Sequence, residues 1–470
     1  MSENFEIIFP SIDIFLYDLK DGLGQEKTTI DQNCRNFCKK IYGDLDETKF
    51  EEKYKQFHNY QDTEVEVIEL LDTRNRNFPS PLDGYYYPVQ IGDTYALQIN
   101  YSGKLDANSK YNDKPQGIKD EPFLKLKQEI TQRISGQTGT IGQTWLFWGK
   151  VKSYNTDQEI EKVAQKCYTQ IVSNYDWERD LIGKGKLEEG MIFELWYSPQ
   201  NLGGNGKEFW EKFRQENGHV FIWLFPDSVS PDEMIKRVRS TYYQFMRLWL
   251  YRHKVVWSYY QSRYQKTLLK KKYVEIQPAI KQTKELPRLL QSNNLKLSKL
   301  QETLTSNLIN LSDYTIALNS LENHIRTIKL NLDNYESRLN DIQNKYVRSD
   351  LEFLKTFSES ENCTKKYQRQ VEADHANLSP GLTLLQNLNS TIQGIIDLEQ
   401  TKSDRKLDNT IAIAGIGLAI GGITATAISA QKDPPLTYNI SFLTEPVFVW
   451  SMVLSAPFLI ALLFRLFRSR

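Results

Sequence analysis

Cysteine is scarce in this 470-residue chain: Cys34, Cys38, Cys167 and Cys363 are too few and too scattered for a disulfide framework, which points to a reducing compartment for the polar part of the chain. Histidine is nearly as rare. His58, His219, His253, His324 and His375 show no metal-ligand spacing, and Cys34 and Cys38 stand one helical step apart with no second pair, so no zinc site is expected. Net charge is absent, 59 basic residues balancing 59 acidic ones, which argues against a nucleic-acid scaffold or an acidic tail; no direct nucleic-acid partner is expected. Residues 1–20 lack the basic start and uninterrupted apolar centre of a signal peptide. Almost no strong apolar signal precedes the last 61 residues.

Phosphate-binding motifs are lacking too. The stretch GQTGTIGQT at Gly136–Thr144 precedes a strand instead of opening a helix, and GGNGK at Gly203–Lys207 has neither the distal glycine nor the following Ser/Thr of a P-loop, so both read as turns. No nucleophile–base pair and no metal constellation stands out. The expectation is therefore a protein that is not an enzyme, with no catalytic residue and no cofactor.

What is present is a folded composition, 40% hydrophobic and 12% aromatic. Residues 1–229 alternate short apolar strands with amphipathic helices: strands at Phe5–Phe9, Ile12–Leu16, Thr94–Tyr101, Thr144–Val151, Met191–Tyr197 and Val220–Phe225, and helices near Thr28–Ile41, Pro122–Ile134, Gln158–Val172 and Lys207–Gln215. This predicts a mixed α/β cytoplasmic domain of the α+β class. Ser230-Pro231-Asp232-Glu233 then starts a helix whose stripe, Ile235, Val238, Tyr242, Phe245, Trp249, His253 and Trp257, reads as core.

Residues 230–378 read as long helices and a coiled-coil hairpin. Leu311, Tyr314, Leu318, Leu321, Ile325, Ile328, Leu332, Tyr335, Leu339, Ile342 and Tyr346 alternate three- and four-residue steps, with Pro287 marking a start upstream. A partner helix is expected to begin at Ser379-Pro380, with the stripe Leu384, Leu388, Ile392, Ile395 and Leu398, making residues 379–409 a stalk. The basic cluster Lys270-Lys271-Lys272 near Lys266 reads as a solvated face or a phosphate or headgroup contact, and Asp350–Glu361 as an acidic face.

Thr410–Ala430 and Pro446–Phe464 carry no charge, and each approaches the ~20 residues that a helix needs to cross a bilayer. They predict two C-terminal transmembrane helices, at 410–430 and 446–467, joined by an external loop at 431–445 and followed by a basic tail at 468–470. Lys402, Arg405 and Lys406 before the first span and Arg465, Arg468 and Arg470 around the end of the second place both termini in the cytoplasm, in a multi-pass protein of the plasma (inner) membrane. On the first span Asp404, Asp408, Ala412, Gly415, Ala419, Gly422 and Thr426 share a small, weakly polar face, which suits either close helix packing or the lining of a pore.

This layout of α/β domain, long helical hairpin, stalk helix, span, short loop, span and basic tail resembles the CorA-type divalent-cation channels over roughly residues 285–470. The resemblance implies a homo-oligomer, a pentamer in that family, around a pore lined by Asp404, Asp408 and the small face, with a metal ion as a possible ligand of the cytoplasmic domain. The family's Gly-Met-Asn signature is absent, since the chain reads Ser429-Ala430-Gln431-Lys432-Asp433-Pro434-Pro435 here, so magnesium is not the implied ion. CorA-like membrane effectors of prokaryotic antiviral defence, gated by a nucleotide signal, are similar in layout and imply a nucleotide ligand instead. A membrane-anchored coiled-coil scaffold is the third expectation.

Overall fold

The computed structural model describes residues 5–404 apart from 23, 59–66, 107–110, 112–113, 153–155, 173, 198–206, 292–296, 347–348 and 360–363. The strands among these residues are β1 (Glu6–Leu19), β2 (Val67–Glu69), β3 (Arg76–Asn77), β4 (Leu82–Ile91), β5 (Thr94–Lys104), β6 (Gln116–Gly117), β7 (Gly142–Lys152), β8 (Leu181–Leu187), β9 (Gly190–Tyr197) and β10 (Gly218–Phe225). The helices are α1 (Lys27–Tyr42), α2 (Glu47–His58), α3 (Pro122–Arg133), α4 (Asp157–Ile171), α5 (Trp177–Asp180), α6 (Lys207–Glu216), α7 (Pro231–Gln291), α8 (Leu297–Lys345), α9 (Lys355–Glu359) and α10 (Thr364–Asp404). They fall into two compact units, Met1–Gln261 with Arg326–Gln368, and Ser262–Ile325 with Arg369 onward.

In the first unit one sheet has the order β2-β4-β5-β1-β7-β10-β9-β8, with β3 beside β4 and β6 beside β1. The β7–β10 pair is parallel and the other pairings along this order are antiparallel. The expected strands Phe5–Phe9 and Ile12–Leu16 are one strand, β1, broken by a bulge between Ile8 and Ser11 at which Phe9 takes a φ of 51°. Strand β4 was not legible, because Tyr85-Tyr86-Tyr87-Pro88 puts a proline in its middle. Nor was β8, whose Gly183 and Gly185 dilute any strand signal. Those glycines have a packing reason: a Cβ on Gly185 would sit 2.0 Å from the Asp350 carbonyl oxygen. Lys186 and Asp350 exchange backbone hydrogen bonds of 3.1 and 2.7 Å, which covers the open edge of β8 and gives part of the acidic stretch a structural task.

The two faces of this sheet are both buried, yet chemically different. On one, Ile12, Ile14, Leu16, Leu97, Ile99, Trp145, Phe147, Phe193, Leu195, Val220 and Ile222 join α1–α4 in a continuous apolar core. On the other, Asp13, Gln98, Asn100, Thr144, Glu194 and His219 are buried among aromatic residues. Because successive strand residues point to opposite faces, one register produces both. The second face is where the first half of α7 packs: Val238, Tyr242, Phe245, Trp249 and His253 are buried as expected, with the Trp249 ring 4.9 Å from those of Phe15 and Phe221. The Ser230 hydroxyl accepts from the Glu233 amide at 3.2 Å and fixes where α7 begins. The later half of α8 joins the same unit, where the Tyr335 hydroxyl donates to the Leu354 carbonyl at 2.9 Å and the Tyr346 hydroxyl to that of Ser240 at 3.1 Å.

The second unit packs the rear of α7, the front of α8 and α10. Tyr314, Leu318, Leu321, Leu384, Leu388, Ile392 and Ile395 are buried, so the two apolar stripes read from the sequence are indeed covered. Asp374 is buried and pairs with Arg263 at 2.5 Å and Lys266 at 2.7 Å, and Lys272 pairs with Asp313 at 2.8 Å. Three corrections to the sequence reading follow. Pro287 lies inside α7 rather than at the start of a helix. Ser379-Pro380 does not open a helix but lies within α10, where Pro380 has no amide to donate to the Ala376 carbonyl; close by, the hydroxyls of Tyr314 and Ser379 donate to the carbonyls of Leu378 at 2.6 Å and His375 at 2.7 Å. Third, the fold class is corrected in its membrane part: among the described residues no helix is long and apolar enough to cross a membrane, α7, α8 and α10 all being polar on average. The segments expected as transmembrane helices, 410–430 and 446–467, lie outside the described residues, as do the loop 431–445 and the tail 468–470.

The GQTGTIGQT stretch is a turn leading into β7, and it is tight. A Cβ on Gly139 would lie 2.2 Å from the Gly142 carbonyl oxygen and 2.7 and 2.8 Å from Tyr17 backbone atoms, none of which can rotate away. Gly139→Ala is expected to destabilise the chain by about 1–3 kcal/mol, the usual range for overpacking, read as a lowered thermal midpoint.

Candidate functional site

The polar face of the sheet against α7 holds two buried networks. The first is centred on Asp13 of β1, which is 0% exposed. Its Oδ1 accepts from Gln98 Nε2 (2.9 Å) and Asn100 Nδ2 (3.1 Å), and its Oδ2 from Trp148 Nε1 (2.7 Å) and the Tyr242 hydroxyl (2.8 Å). Three donors come from the neighbouring strands β5 and β7 and the fourth from α7. Burial pushes the Asp13 carboxyl up to about 6 although all four donors favour its ionised form. Four residues along β1, the Tyr17 hydroxyl donates to the Met246 carbonyl of α7 at 2.7 Å. One strand therefore holds α7 at two points a helical turn apart.

The second network is a chain of hydrogen bonds. Glu194 Oε1 of β9 lies 3.0 Å from His219 Nε2 of β10; His219 Nδ1 lies 2.7 Å from the Thr144 hydroxyl of β7; that hydroxyl lies 2.8 Å from His253 Nε2 of α7. Arg252 Nε approaches Glu194 Oε1 at 3.7 Å, and its guanidinium stacks 4.6 Å from the Trp196 ring and 5.1 Å from that of Phe357. Burial is the main cause that raises Glu194 to about 7, against the opposing pull of Arg252. It also holds both histidines well below their ordinary value, so the Glu194–His219 contact is a hydrogen bond to a neutral imidazole and not an ion pair. Tyr335 of α8 is the remaining titratable neighbour, its phenol raised by burial and by Glu194.

A neutral imidazole has one N–H and a hydroxyl one proton, so the chain has two polarities. With Glu194 ionised, His219 Nε2–H donates to it, Thr144 donates to His219 Nδ1, and His253 Nε2–H donates to Thr144. With a proton on Glu194 Oε1, every donor and acceptor exchanges roles as far as His253. A proton at that oxygen of a β9 carboxyl would thereby set the tautomer of a histidine on α7. Thr144, His219 and Glu194 also have the order of a nucleophile, a base and an acid. All three are within 1% of complete burial, and neither of the two cavities described below is lined by them.

One cavity of about 380 Å³ lies on the apolar side, lined among others by Trp145, Phe147, Lys127 and Asn217. Its lysine already serves the protein, since Lys127 Nζ donates to the Ile171 carbonyl at the last turn of α4 (2.5 Å). The other, of about 290 Å³, adjoins the Asp13 network.

Of the residues singled out in the sequence, Asp404 ends α10, while Asp408, Ala412, Gly415, Ala419, Gly422 and Thr426 lie outside the described residues, as does Gly203 with its neighbours to Asn205 and Gly206. Among the described residues no group of His, Cys, Asp and Glu is arranged to hold a metal ion. Cys34, Cys38 and Cys167 are buried, and burial raises Cys38 to about 12. The basic cluster is largely neutralised within the second unit by Asp374, Asp313 and Glu275. Sequence reasoning missed Asp13, Thr144, Glu194 and His219, which arrive from four strands with no shared spacing. A signal existed all the same: IDIF, FELW and HVFIWLF each place one polar residue inside an otherwise apolar strand.

The Glu194 linkage has a definite sign. Its native pKa exceeds the ordinary 4.5, so the stabilisation from its proton is complete below about 4.5 and is lost as pH rises through about 7. Glu194→Gln keeps a donor toward His219 at every pH. The thermal midpoint of the variant relative to the parent is expected to rise between about pH 4.5 and 7 and to level off above; a difference that does not change with pH would show that Glu194 is ionised throughout. No family model matches this chain, and no curated protein or solved structure does either, so what speaks for a function here is the chemistry of these residues.

Proposed function

We propose that the chain is a non-enzymatic transducer, in which the sheet domain sets the position and tautomeric state of α7 and the C-terminal segment beyond Asp404 delivers the output as a change in membrane permeability. The observation that carries this reading is the division of both buried networks between sheet and helix: Tyr242 and Asp13, Met246 and Tyr17, His253 and Thr144, Arg252 and Glu194. Groups so buried lose their partners altogether if α7 shifts, which favours two discrete arrangements over a continuum. Helix α7 contributes residues to both units, as do α8 and α10. The membrane output is supported by sequence alone, through the uncharged stretches 410–430 and 446–464.

Self-association is supported by a second, uncovered stripe on α8. Ile309 and Ile316, both in the second unit, stand seven residues apart and are 58% and 66% exposed, a heptad step that suits another copy of the chain. A scaffold that recruits partners through the Leu311–Tyr346 seam is disfavoured, because Tyr314, Leu318, Leu321, Ile328, Tyr335, Leu339 and Ile342 are already buried within the chain.

Tyr242→Phe removes one hydroxyl between α7 and Asp13 and keeps the ring. In the full chain reconstituted into phosphatidylethanolamine–phosphatidylglycerol liposomes, this variant is expected to change potassium efflux at least threefold while the oligomer mass in detergent stays the same. Equal efflux in parent and variant overturns the coupling, efflux no greater than from empty liposomes overturns the output, and a monomer in detergent overturns the assembly.

A further inference from the structure

The cavity of about 290 Å³ beside Asp13 is lined by two charged residues of opposite sign, Asp83 of β4 and Arg239 of α7, together with aromatic side chains that include Phe9, Tyr111, Trp148 and Tyr242. Arg239 is exposed and Asp83 half-buried, and the guanidinium acts on the carboxyl electrostatically. Two opposite charges that line one cavity can together receive a ligand that carries both charges at a fixed separation.

The aromatic wall is built and strained. Phe9 is 3% exposed, holds a φ of 51° immediately before Pro10, and sets its ring 4.9 Å from Tyr111 and 5.6 Å from Trp148. A left-handed residue ahead of a proline costs on the order of 1–3 kcal/mol and is kept where the surroundings demand it. The floor is formed by Asn100, Trp148 and Tyr242, which are direct partners of Asp13, so an occupant would touch both the sheet and α7.

We propose that this cavity binds a free α-amino acid, its carboxylate on the Arg239 guanidinium, its ammonium on Asp83 and its side chain against Phe9, Tyr111 and Trp148. A planar guanidinium matches a carboxylate with two parallel hydrogen bonds, and an ammonium beside aromatic faces gains a cation–π contribution. The volume, at the lower end of the range for small-molecule pockets, suits a metabolite of this size. The site is the input of the transducer, and only that role rests on the reading above; the binding itself does not.

The test is isothermal titration of the full-length protein in detergent at pH 7 with glycine, L-leucine and L-phenylalanine. At least one is expected to bind saturably. For the best of them, the amide, which lacks the carboxylate, and the desamino acid, which lacks the ammonium, should each bind at least tenfold more weakly. Arg239→Gln and Asp83→Asn should each weaken the amino acid at least tenfold with the thermal midpoint of the free protein unchanged. No saturable heat from any of the three, or unchanged affinity in both variants, overturns the site and leaves the Tyr242 result standing. Binding that leaves liposome efflux unchanged confirms the site and overturns its role as the input.

Discussion

A buried carboxylate that must be fully hydrogen-bonded is the constraint on which the first unit depends. Asp13 lies at the centre of the sheet, and taking a carboxylate out of water is costly unless donors replace the water. Four do, from β5, β7 and α7, and all have to be in place at once. The requirement fixes the register of β1 against β5 and β7 and the axial position of α7, because a one-residue slip would turn Asp13 to the apolar face. The bulge at Phe9 belongs to the same solution, since it lets Ile7 join Ile12, Ile14 and Leu16 in the apolar core while Asp13, Phe15 and Tyr17 face the helix.

The two faces of the sheet then divide the work. Against α1–α4, burial is apolar and non-directional, so small displacements cost little per atom and the face supplies stability. Against α7, direction matters: hydrogen bonds weaken steeply with misalignment, and a polar group left unmatched there costs about 1–3 kcal/mol. One face holds the domain together and the other specifies where a helix sits. Helix α7 is also held there by aromatic packing, Trp249 against Phe15 and Phe221, so the directional contacts specify position on a face that is already buried.

Much of the architecture was legible. Four apolar strands and four amphipathic helices were read close to their observed bounds, because each carries an intact period-2 or period-3.6 pattern, and β1 was read as two shorter strands; Ile160, Val163 and Ala164 of α4 and the aromatic stripe of α7 are examples. Elements whose pattern is interrupted were missed: β4 by Pro88, β8 by Gly183 and Gly185. Pro287 and Pro380 misled in the opposite way, since a proline is read as a boundary while α7 and α10 continue through theirs. The site was nearly invisible because its parts are joined across strands. Asp13, Thr144, Glu194 and His219 become neighbours only once the sheet order is known.

The energetic scale of a switch at this seam is modest. Reversing a 99:1 preference needs about 5.5 kcal/mol of differential binding. Moving α7 away from the sheet would strand the partners of Tyr242, His253 and Arg252, at about 1–3 kcal/mol for each unmatched polar group, so the resting arrangement is held by an amount of the same order. A ligand that clamped opposite charges on the sheet and on the helix would supply interactions present in only one of two such arrangements, which is what a population shift requires. Several copies coupled through α8 would divide the requirement, and each could then respond to an occupant of ordinary affinity. The burial of both networks matters to this arithmetic, because at a solvated seam water would replace the donors that α7 takes with it and the cost of a shift would be small.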